Sequence, residues 1–396
     1  MRSRDIIIFF TVVFLIYSGA NIFLYFKGLD ATSRFVSSGL YTLLFIVISF
    51  TFVAGKILER NYSSIIADIL NIIGGFWLSF IFYSVIIILI ADILRLVLNL
   101  LNLISPDNMP VFRQASYIMS FGLALLLVTA GFINTLFPVT TKYNINIAKN
   151  ASVREFKIAA VSDIHLGSII RKRSMRVLSR KLENISPHMV LLLGDTVDGE
   201  INPVLRSDLL GSLTIPAGAK HIYAITGNHE YIGNQSKTIP YIESKGIKLL
   251  IDETVSLEEG LILAGRKDRD SSRYNGEKRK SIDELLDGID RNKPVIVMDH
   301  QPPMRRENTI SGFDLMLSGH THNGQMWPLN YLTAKIYKLI YGHSIIGNSH
   351  YIVSSGFGSW GPRVRLGSRP EVLDITLRFG THTEETASSS DSNFRR

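Results

Sequence analysis

The sequence predicts an all-α transmembrane domain of four helices, followed by an α/β domain. Two observations support this fold class. Nearly all long apolar runs of the 396-residue chain lie before Pro138. From about residue 153 onwards, short apolar runs alternate with helical stretches such as 174–185 and 282–289, and this alternation is typical of α/β folds.

Four apolar runs in the first part are long enough to cross a bilayer, because each offers roughly 20 apolar positions for about 30 Å of hydrocarbon. They lie near residues 6–26, 35–54, 72–91 and 115–137. The first run also resembles a cleaved signal peptide, since Arg2 and Arg4 precede it and residues 18–20 are small. Three further runs follow it, so we favour a transmembrane helix.

Polar residues just beyond the third run have helical spacing. Asp92, Arg95, Asn99 and Asn102 recur every three or four residues among leucines. This spacing predicts an amphipathic helix in the membrane interface and not a fifth span.

The distribution of Lys and Arg in short loops predicts the orientation in the membrane. A cytoplasmic amino terminus places six of these basic residues inside and three outside. Four spans then return the α/β domain to the cytoplasmic face of the cell membrane, so we expect a multi-pass membrane protein.

The chain divides into four segments by composition. We assign residues 1–137 to the transmembrane domain, 138–152 to a polar linker and 153–379 to the α/β domain. The alternation at 143–147 favours an edge strand within the linker. Residues 380–396 are rich in Ser, Thr and Glu with almost no apolar side chains, so we expect this tail to be disordered.

Composition narrows the chemistry. The chain has no Cys, which excludes disulfides, thiolate metal sites and thiol nucleophiles. The net charge is +8 and the pI about 9.4, but several of the basic residues fall on one predicted helix after residue 170. A solvated face or contact with anionic membrane lipids explains them, and we expect no nucleic-acid partner.

Five apolar runs in the α/β domain each stop at a polar cluster of metal-binding type. Each run is short and bounded by Gly or polar residues, as in buried strands. The clusters therefore fall at strand ends, where open α/β sheets place their sites. The clusters are Asp163-Ile-His165, Gly194-Asp195, Gly227-Asn228-His229-Glu230, Asp299-His300 and Gly319-His320-Thr321-His322.

These clusters supply ligands for two adjacent cations. Asp163 and His165 are two positions apart, so an extended backbone would point both side chains to one side. Asp195 follows a glycine and is the candidate bridging carboxylate. We assign one ion to Asp163, His165, Asp195 and His322, and the other to Asp195, Asn228, His300 and His320.

Imidazole and oxygen ligands without sulfur suit several divalent metals. We favour manganese, with zinc or iron as alternatives. Two such ions lower the pKa of a bound water and neutralise charge in an in-line displacement, which suits phosphoryl transfer. His229 points away from its neighbour Asn228 and is the candidate catalytic group, held by Glu230 or Asp198.

In their order, these blocks resemble the signature of the calcineurin-like metallophosphoesterase family over about residues 153–377. The resemblance implies a four-layer sandwich of two mixed sheets flanked by helices and a dinuclear centre with the ligands above. It also implies hydrolysis of phosphomonoester, phosphodiester or pyrophosphate bonds, with His229 and Asp195 as catalytic residues.

Further blocks resemble the membrane-anchored bacterial branch of that family. They are residues 319–325, 354–358, 363–365 and 370–371. Asn323 stands where a Gly is common in that branch, and Asn tolerates a left-handed backbone. The four spans exceed the single anchor of simpler members. Relatives include enzymes that cleave a nucleotide-linked lipid A precursor, so the branch implies a phosphate-containing small-molecule or lipid-linked substrate.

Two arginines near the end of the domain are candidate substrate-binding residues. Arg363 and Arg365 could hold a substrate phosphate by planar bidentate contacts, or form surface salt bridges. Two other functions stay open from sequence. One is a noncatalytic metal-binding membrane scaffold, and the other is a transporter gated by the α/β domain.

Overall fold

The computed structural model describes residues 3–308 and 311–380. Its first part consists of α1 (Ser3–Thr32), α2 (Ser38–Asn61), α3 (Ile65–Leu100) and α4 (Met109–Thr135). All four are long and apolar enough to span a membrane. Of the predicted disordered tail, 380–396, residues 381–396 lie outside the described residues.

Helix α3 is longer than a bilayer is thick, since its 36 residues extend for about 54 Å at 1.5 Å per residue. It runs without interruption through the segment predicted as a separate interfacial helix, so that prediction is wrong. Asp92 pairs instead with Lys27 of α1 at 2.7 Å and with Arg95 at 2.8 Å. These polar groups satisfy one another between the helices and do not form a separate amphipathic surface.

The second part contains two six-stranded sheets. The strands are β1 (Val139–Ile147), β2 (Glu155–Val161), β3 (Met189–Leu192), β4 (His221–Ala224), β5 (Lys248–Leu249), β6 (Glu253–Ser256), β7 (Ile262–Gly265), β8 (Val295–Met298), β9 (Leu315–Ser318), β10 (Gly342–Ile346), β11 (Ser349–Val353) and β12 (Glu371–Phe379). The helices are α5 (Lys172–Ile185), α6 (Asn202–Ser207), α7 (Asn228–Ile232), α8 (Gln235–Glu243), α9 (Ser271–Tyr274), α10 (Ile282–Leu285) and α11 (Leu329–Ile336).

The sheets have the orders β1-β12-β2-β3-β4-β5 and β10-β11-β9-β8-β7-β6. Both are mixed, since each combines parallel and antiparallel pairs. Their inner faces share one core that includes Ile158, Leu191, Leu263 and Leu317. Helices cover the outer faces, with Leu178 of α5 packed on the first sheet and Leu285 of α10 on the second. The predicted four-layer sandwich is therefore confirmed.

Strand β1 occupies nine residues of the segment that the sequence assigned to a linker. It lies at the edge of the first sheet and pairs in parallel with β12. The segment thus adds a strand to the sandwich and also leads directly out of the membrane helices, because α4 ends at Thr135.

The register of β1 fixes which edge of the first sheet faces the helices. Val139 pairs with Glu371 at the start of β12, and Leu373 of β12 pairs with Ala160 near the end of β2. The carboxyl end of β2 therefore lies at the same edge as the end of α4. Strands β3 and β4 run parallel to β2, so the loops that follow them also open toward the membrane helices.

Polar contacts hold the helices against this edge. Asp68 of α3 pairs with Arg171 and Arg206 of the sandwich. Near the end of α4, the Asn134 amide donates to the backbone oxygens of Arg365 and Ser368 at 3.0 and 2.8 Å. The two parts therefore meet in a specific interface beside the carboxyl ends of the strands.

Candidate metal centre

The predicted ligands all follow strand ends. Asp163 and His165 come after β2, Asp195 after β3, and Asn228 after β4. In the second sheet, His300 follows β8, and His320 and His322 follow β9. Because these strands are parallel within their sheets, their carboxyl ends meet, and the structure brings all seven side chains to one place.

The ligand atoms form three overlapping groups, each with its atoms within 4.8 Å of one another. Asp195 belongs to two of these groups and lies between the other residues, as expected of a shared carboxylate. His229, predicted as a catalytic residue and not as a ligand, completes one of the groups. The groups are Asp163–His165–His322, His165–Asp195–His229 and Asp195–His300–His320.

Close approaches between nitrogen and oxygen atoms define the centre. The Nε2 atoms of His165 and His322 are 3.0 Å apart, and Nε2 of His300 lies 3.1 Å from Oδ2 of Asp195. Across the site, Nδ1 of His320 lies 2.9 Å from Oδ1 of Asn228. Each of these three approaches joins residues that belong to the same ligand set inferred from sequence.

The backbone conformation at these residues differs from the extended one expected from sequence. Asp163 and His165 have φ values of 54° and 51°, so they are left-handed and not extended. Asp195, His320 and His322 are left-handed as well. Non-glycine residues adopt this conformation at a cost of order 1–3 kcal/mol each, and such strain clusters at functional sites.

Glu230 holds the loops after β3 and β4 together. Its buried carboxylate accepts the backbone N–H groups of Asp195, Val197 and Gly227 at 3.0, 3.1 and 2.7 Å. Burial, and then the charge of Asp195, raise the pKa of Glu230 to about 7. Its role is therefore to position the backbone around Asp195.

The sequence suggested Glu230 or Asp198 as the acid that holds His229, and Asp198 is the one that lies beside its ring. Its Oδ1 lies 3.3 Å from Nδ1 of His229 and 3.0 Å from Nδ1 of His165. Burial opposes the charge of Asp198, but hydrogen bonding with the two histidines holds its pKa well below the usual range. One carboxylate thus orients a ligand candidate and the catalytic candidate.

The pKa values of the site residues reflect competition between burial and charge. Burial lowers the pKa of His229, but Asp195 and Asp198 outweigh it and raise the pKa to about 9. His300 follows the same pattern, with burial opposed by Asp195 and a pKa well above the ordinary value. Burial, with the charge of His300, lowers the pKa of His320 to about 3. The carboxylates thus retain charge that cations would neutralise.

His300 provides a direct test of whether a cation fits. Its Nδ1 lies 2.7 Å from the backbone oxygen of Leu193, so this nitrogen donates and Nε2 faces the centre. That Nε2 is buried and makes no hydrogen bond, although Oδ2 of Asp195 lies 3.1 Å away, and an unsatisfied buried nitrogen is costly unless something binds it. A ligating imidazole typically has its other nitrogen fixed by a carbonyl in this way, so the donor set fits a metal.

Two glycines leave the space that this arrangement needs. Gly194 has φ of +88°, and a Cβ there would lie 2.7 Å from Nδ1 of His300. A Cβ on Gly319 would clash with Oγ of Ser162 and with Oδ2 of Asp163. A side chain at either position would displace a ligand, which explains why these loops carry glycine next to ligand residues.

The positions of Arg363 and Arg365 correct the prediction that they bind substrate. Arg365 is fully buried and donates to the backbone oxygens of Ser355 and Gly358, to Ser368 Oγ and to Nδ1 of His322. Its donors are therefore used within the protein. Arg363 faces α4, with Nε 3.2 Å from Oγ1 of Thr135. Arg365 therefore contacts a ligand candidate, and Arg363 lies where the sandwich meets α4.

A cavity of about 460 Å³ opens beside the centre. Its lining includes His165, Asp195, His229 and other site residues, together with several apolar side chains. Leu78 of α3 and Trp360 line it as well. Sequence reasoning missed these two residues, because nothing local connects a membrane helix or a solitary Trp to the ligand motifs.

Comparison with known proteins agrees with this geometry. Residues 156–324 match the model of the family described as calcineurin-like phosphoesterase. An uncharacterized metallophosphoesterase of Aquifex aeolicus is 33% identical over 65% of this chain and 98% of its own length. One of Campylobacter jejuni is 25% identical over 94% of this chain and 98% of its own. A Bos taurus transmembrane protein with metallophosphoesterase domain is 30% identical over 57% of this chain and 54% of its own.

Fold, motif order and ligand cluster define a metallophosphoesterase with a site that can hold metal ions. The chain belongs to the calcineurin-like phosphoesterase family, as the sequence motifs predicted. The Campylobacter match covers nearly the whole chain, so it includes the region of the four apolar helices.

Proposed function

We propose that this protein is a membrane-anchored phosphoesterase that uses two divalent cations to hydrolyse a phosphomonoester, phosphodiester or pyrophosphate bond. The observation that carries the proposal is the convergence of the six other ligand candidates around Asp195. A phosphate-containing substrate suits the site, because the buried ligands leave one side open to the cavity.

We assign the ligands as the sequence suggested. Asp163, His165 and His322 hold one cation, and Asn228, His300 and His320 hold the other, with Asp195 shared. Manganese is favoured, with zinc or iron as alternatives. When bound, such a pair lowers the pKa of water and stabilises the charge of the phosphoryl group.

His229 is the proposed proton donor to the leaving oxygen. It lines the cavity, and Asp198 lies beside its Nδ1, which leaves Nε2 to reach the substrate. The carboxylate of Asp198 keeps the ring oriented and favours its protonated form. A positioned acid of this kind contributes on the order of 10²–10⁴-fold to a rate.

The test is hydrolysis of 4-nitrophenyl phosphate and bis(4-nitrophenyl) phosphate by the full chain in detergent with added Mn²⁺. We expect activity that chelator abolishes, two metal ions per chain, and loss of activity in Asp195→Asn and His229→Gln. His343→Gln, an exposed histidine on β10, is the matched control. Stoichiometric metal without turnover of either ester would support the noncatalytic scaffold instead.

We further propose that residues 1–137 form the membrane domain and that the sandwich lies on the cytoplasmic side. The charge distribution in the short loops supports this orientation. Protease treatment of sealed cells tests it with an epitope tag added after Arg396. A protected tag agrees with the proposal, and removal of the tag from intact cells reverses the orientation.

A further inference from the structure

Side chains of two kinds line the cavity beside the metal centre, and we call them its polar and apolar halves. His229 and five of the ligand candidates, His165, Asp195, Asn228, His320 and His322, belong to the polar half. The other half is lined by Leu78, Ile232, Met326, Leu329, Ile336 and Trp360. A phosphate group needs only the polar half, so the apolar half indicates that the substrate carries a hydrophobic part next to its phosphate.

Part of this apolar half lies at the depth of the membrane helices. Met326 and Leu329 pack in one cluster with Tyr83 of α3 and Val128 of α4. From Tyr83 to the far end of α3 at Leu100 is about 26 Å at 1.5 Å per residue. The hydrocarbon layer is roughly 30 Å thick. A layer that begins at Leu100 therefore extends past Tyr83 and reaches the level of Met326 and Leu329.

Helix α11 exposes mainly apolar side chains at this depth, with Lys335 beside them. Tyr331 is 62% exposed and Leu332 58% exposed, and Trp327 before the helix is exposed as well. Trp360, 59% exposed, lies at the mouth of the cavity. Trp and Tyr are enriched where proteins meet the bilayer interface, and an apolar face that continues from membrane helices favours lipid as its occupant.

We infer that α11, with Trp327 and Trp360, inserts into the bilayer beside α3 and α4, and that the substrate is an amphiphilic phosphate ester that enters the cavity from the membrane. This inference rests on the proposed function. The hydrocarbon chain lies against the apolar half, while the phosphate reaches the metal centre. Water adds to phosphorus, the bond between phosphorus and the lipid-side or head-group oxygen breaks, and that oxygen takes a proton.

The first test measures insertion. The chain has no Cys, so Leu332→Cys provides a single labelling position for an environment-sensitive fluorophore on the full chain in phosphatidylglycerol–phosphatidylcholine vesicles. We expect lipids brominated on their acyl chains to quench this label strongly. Quenching no stronger than that of the same label on Glu258→Cys would overturn insertion.

The matched control is Glu258→Cys. Glu258 is exposed and precedes Glu259, whose backbone oxygen accepts from Ser152. Ser152 follows the far end of β1, which is about 30 Å from its membrane-side end at 3.3 Å per residue. The control label therefore reports the aqueous side, and we expect no quenching there.

The second test measures chain recognition without knowing the natural ester. Hexadecylphosphonate and ethylphosphonate present the same phosphonate to the centre, and both are assayed as inhibitors of 4-nitrophenyl phosphate hydrolysis in detergent. We expect the inhibition constant of the long-chain compound to be at least tenfold lower. Hexadecyl maltoside, which has the chain but no anion, should not inhibit.

The two proposals fail in different ways. Absence of Mn²⁺-dependent hydrolysis of both aryl esters would reject the proposed function. Hydrolysis with equal inhibition constants for the two phosphonates would retain the phosphoesterase and reject the amphiphilic substrate. We then compare the ratio of the ethylphosphonate constant to the hexadecylphosphonate constant in the wild type and in Leu329→Ser. A fall of at least fivefold in this ratio would locate the chain-binding site at α11, whereas an unchanged ratio would contradict it.

Discussion

Arg365 fixes the orientation of His322. Its Nη2 lies 2.8 Å from Nδ1 of the imidazole, while Nη1 donates to Ser368 Oγ at 2.9 Å and to the backbone oxygen of Ser355 at 2.7 Å. The arginine is therefore held by the loop before β12, and the imidazole is held by the arginine. Nε2 of His322 then faces Asp163 and His165.

Replacing Arg365 should destabilise the loop before β12. Arg365→Met leaves the buried backbone oxygens of Ser355 and Gly358 without this donor, and each buried unsatisfied group costs about 1–3 kcal/mol. We expect a loss of at least that size in the free energy of unfolding, measured in denaturant with chelator present. Arg363→Met is the control, because Arg363 contacts Thr135 and not these carbonyl groups, and it should lose less. A stability equal to the wild type would show that these hydrogen bonds contribute no net energy.

Glu230→Gln should destabilise the loops around Asp195. The amide replaces one acceptor oxygen with a donor that faces backbone N–H groups, and each buried unsatisfied group costs about 1–3 kcal/mol. We expect a loss of that size in the free energy of unfolding, measured in denaturant with chelator present. Glu258→Gln, at an exposed position, is the control and should change little. A stability equal to the wild type would show that the three hydrogen bonds to Glu230 contribute no net energy.

The pH profile should report His229 through its role as an acid. Burial lowers its pKa, but Asp195 and Asp198 outweigh burial and raise it to about 9, so the ring is protonated below that pH and loses its proton above it. Bound cations add positive charge and lower this pKa, so we expect kcat for an alkyl phosphate to fall with an apparent pKa at or below about 9. The residual activity of His229→Gln should lack this alkaline decline. A decline that persists in the variant belongs to another group.

Gly194→Ala should remove the cation site that contains His300. The added methyl group meets His300 Nδ1 at 2.7 Å and the Gly227 nitrogen at 2.8 Å. We expect metal content to fall toward one ion per chain, measured by atomic emission on the purified protein. Gly276→Ala is the control for backbone strain alone. Its φ is also positive at +79°, but an added Cβ there meets nothing within 4 Å. Two ions in both variants would contradict the close-contact argument.

Asp68→Asn should loosen the attachment of the sandwich to α3. Arg171 and Arg206 share this buried carboxylate, but both arginines are about one-third exposed, so solvent screens part of the loss. We expect about 1–2 kcal/mol, seen as a lower melting temperature in detergent and faster proteolysis between α4 and β1. The exposed pair of Asp30 and Arg113 supplies the control, Asp30→Asn, which should have a smaller effect.

Predictability differed between the ligands and the residues that support them. The ligand candidates follow strand ends in a recognisable order, so local sequence identified them. Asp198 and Glu230 were both available as partners of His229, and only the packing of the loops assigned Asp198 to the ring and Glu230 to the backbone. Charge alone placed Arg363 and Arg365 at the substrate, because a sequence does not reveal which donors are already used by buried carbonyl groups.

The sequence by itself determined the four apolar helices, the α/β domain and the set of metal-ligand candidates, because hydrophobic periodicity and short motifs are local properties of the chain. The two-sheet sandwich followed from the resemblance of those motifs to a known family. Only the tertiary structure decided that α3 continues past its apolar run, that Arg365 serves His322, and that the cavity faces the membrane helices. These features depend on strand register and on contacts between residues far apart in the chain. Such contacts are set by how complementary surfaces pack, and no local pattern encodes them.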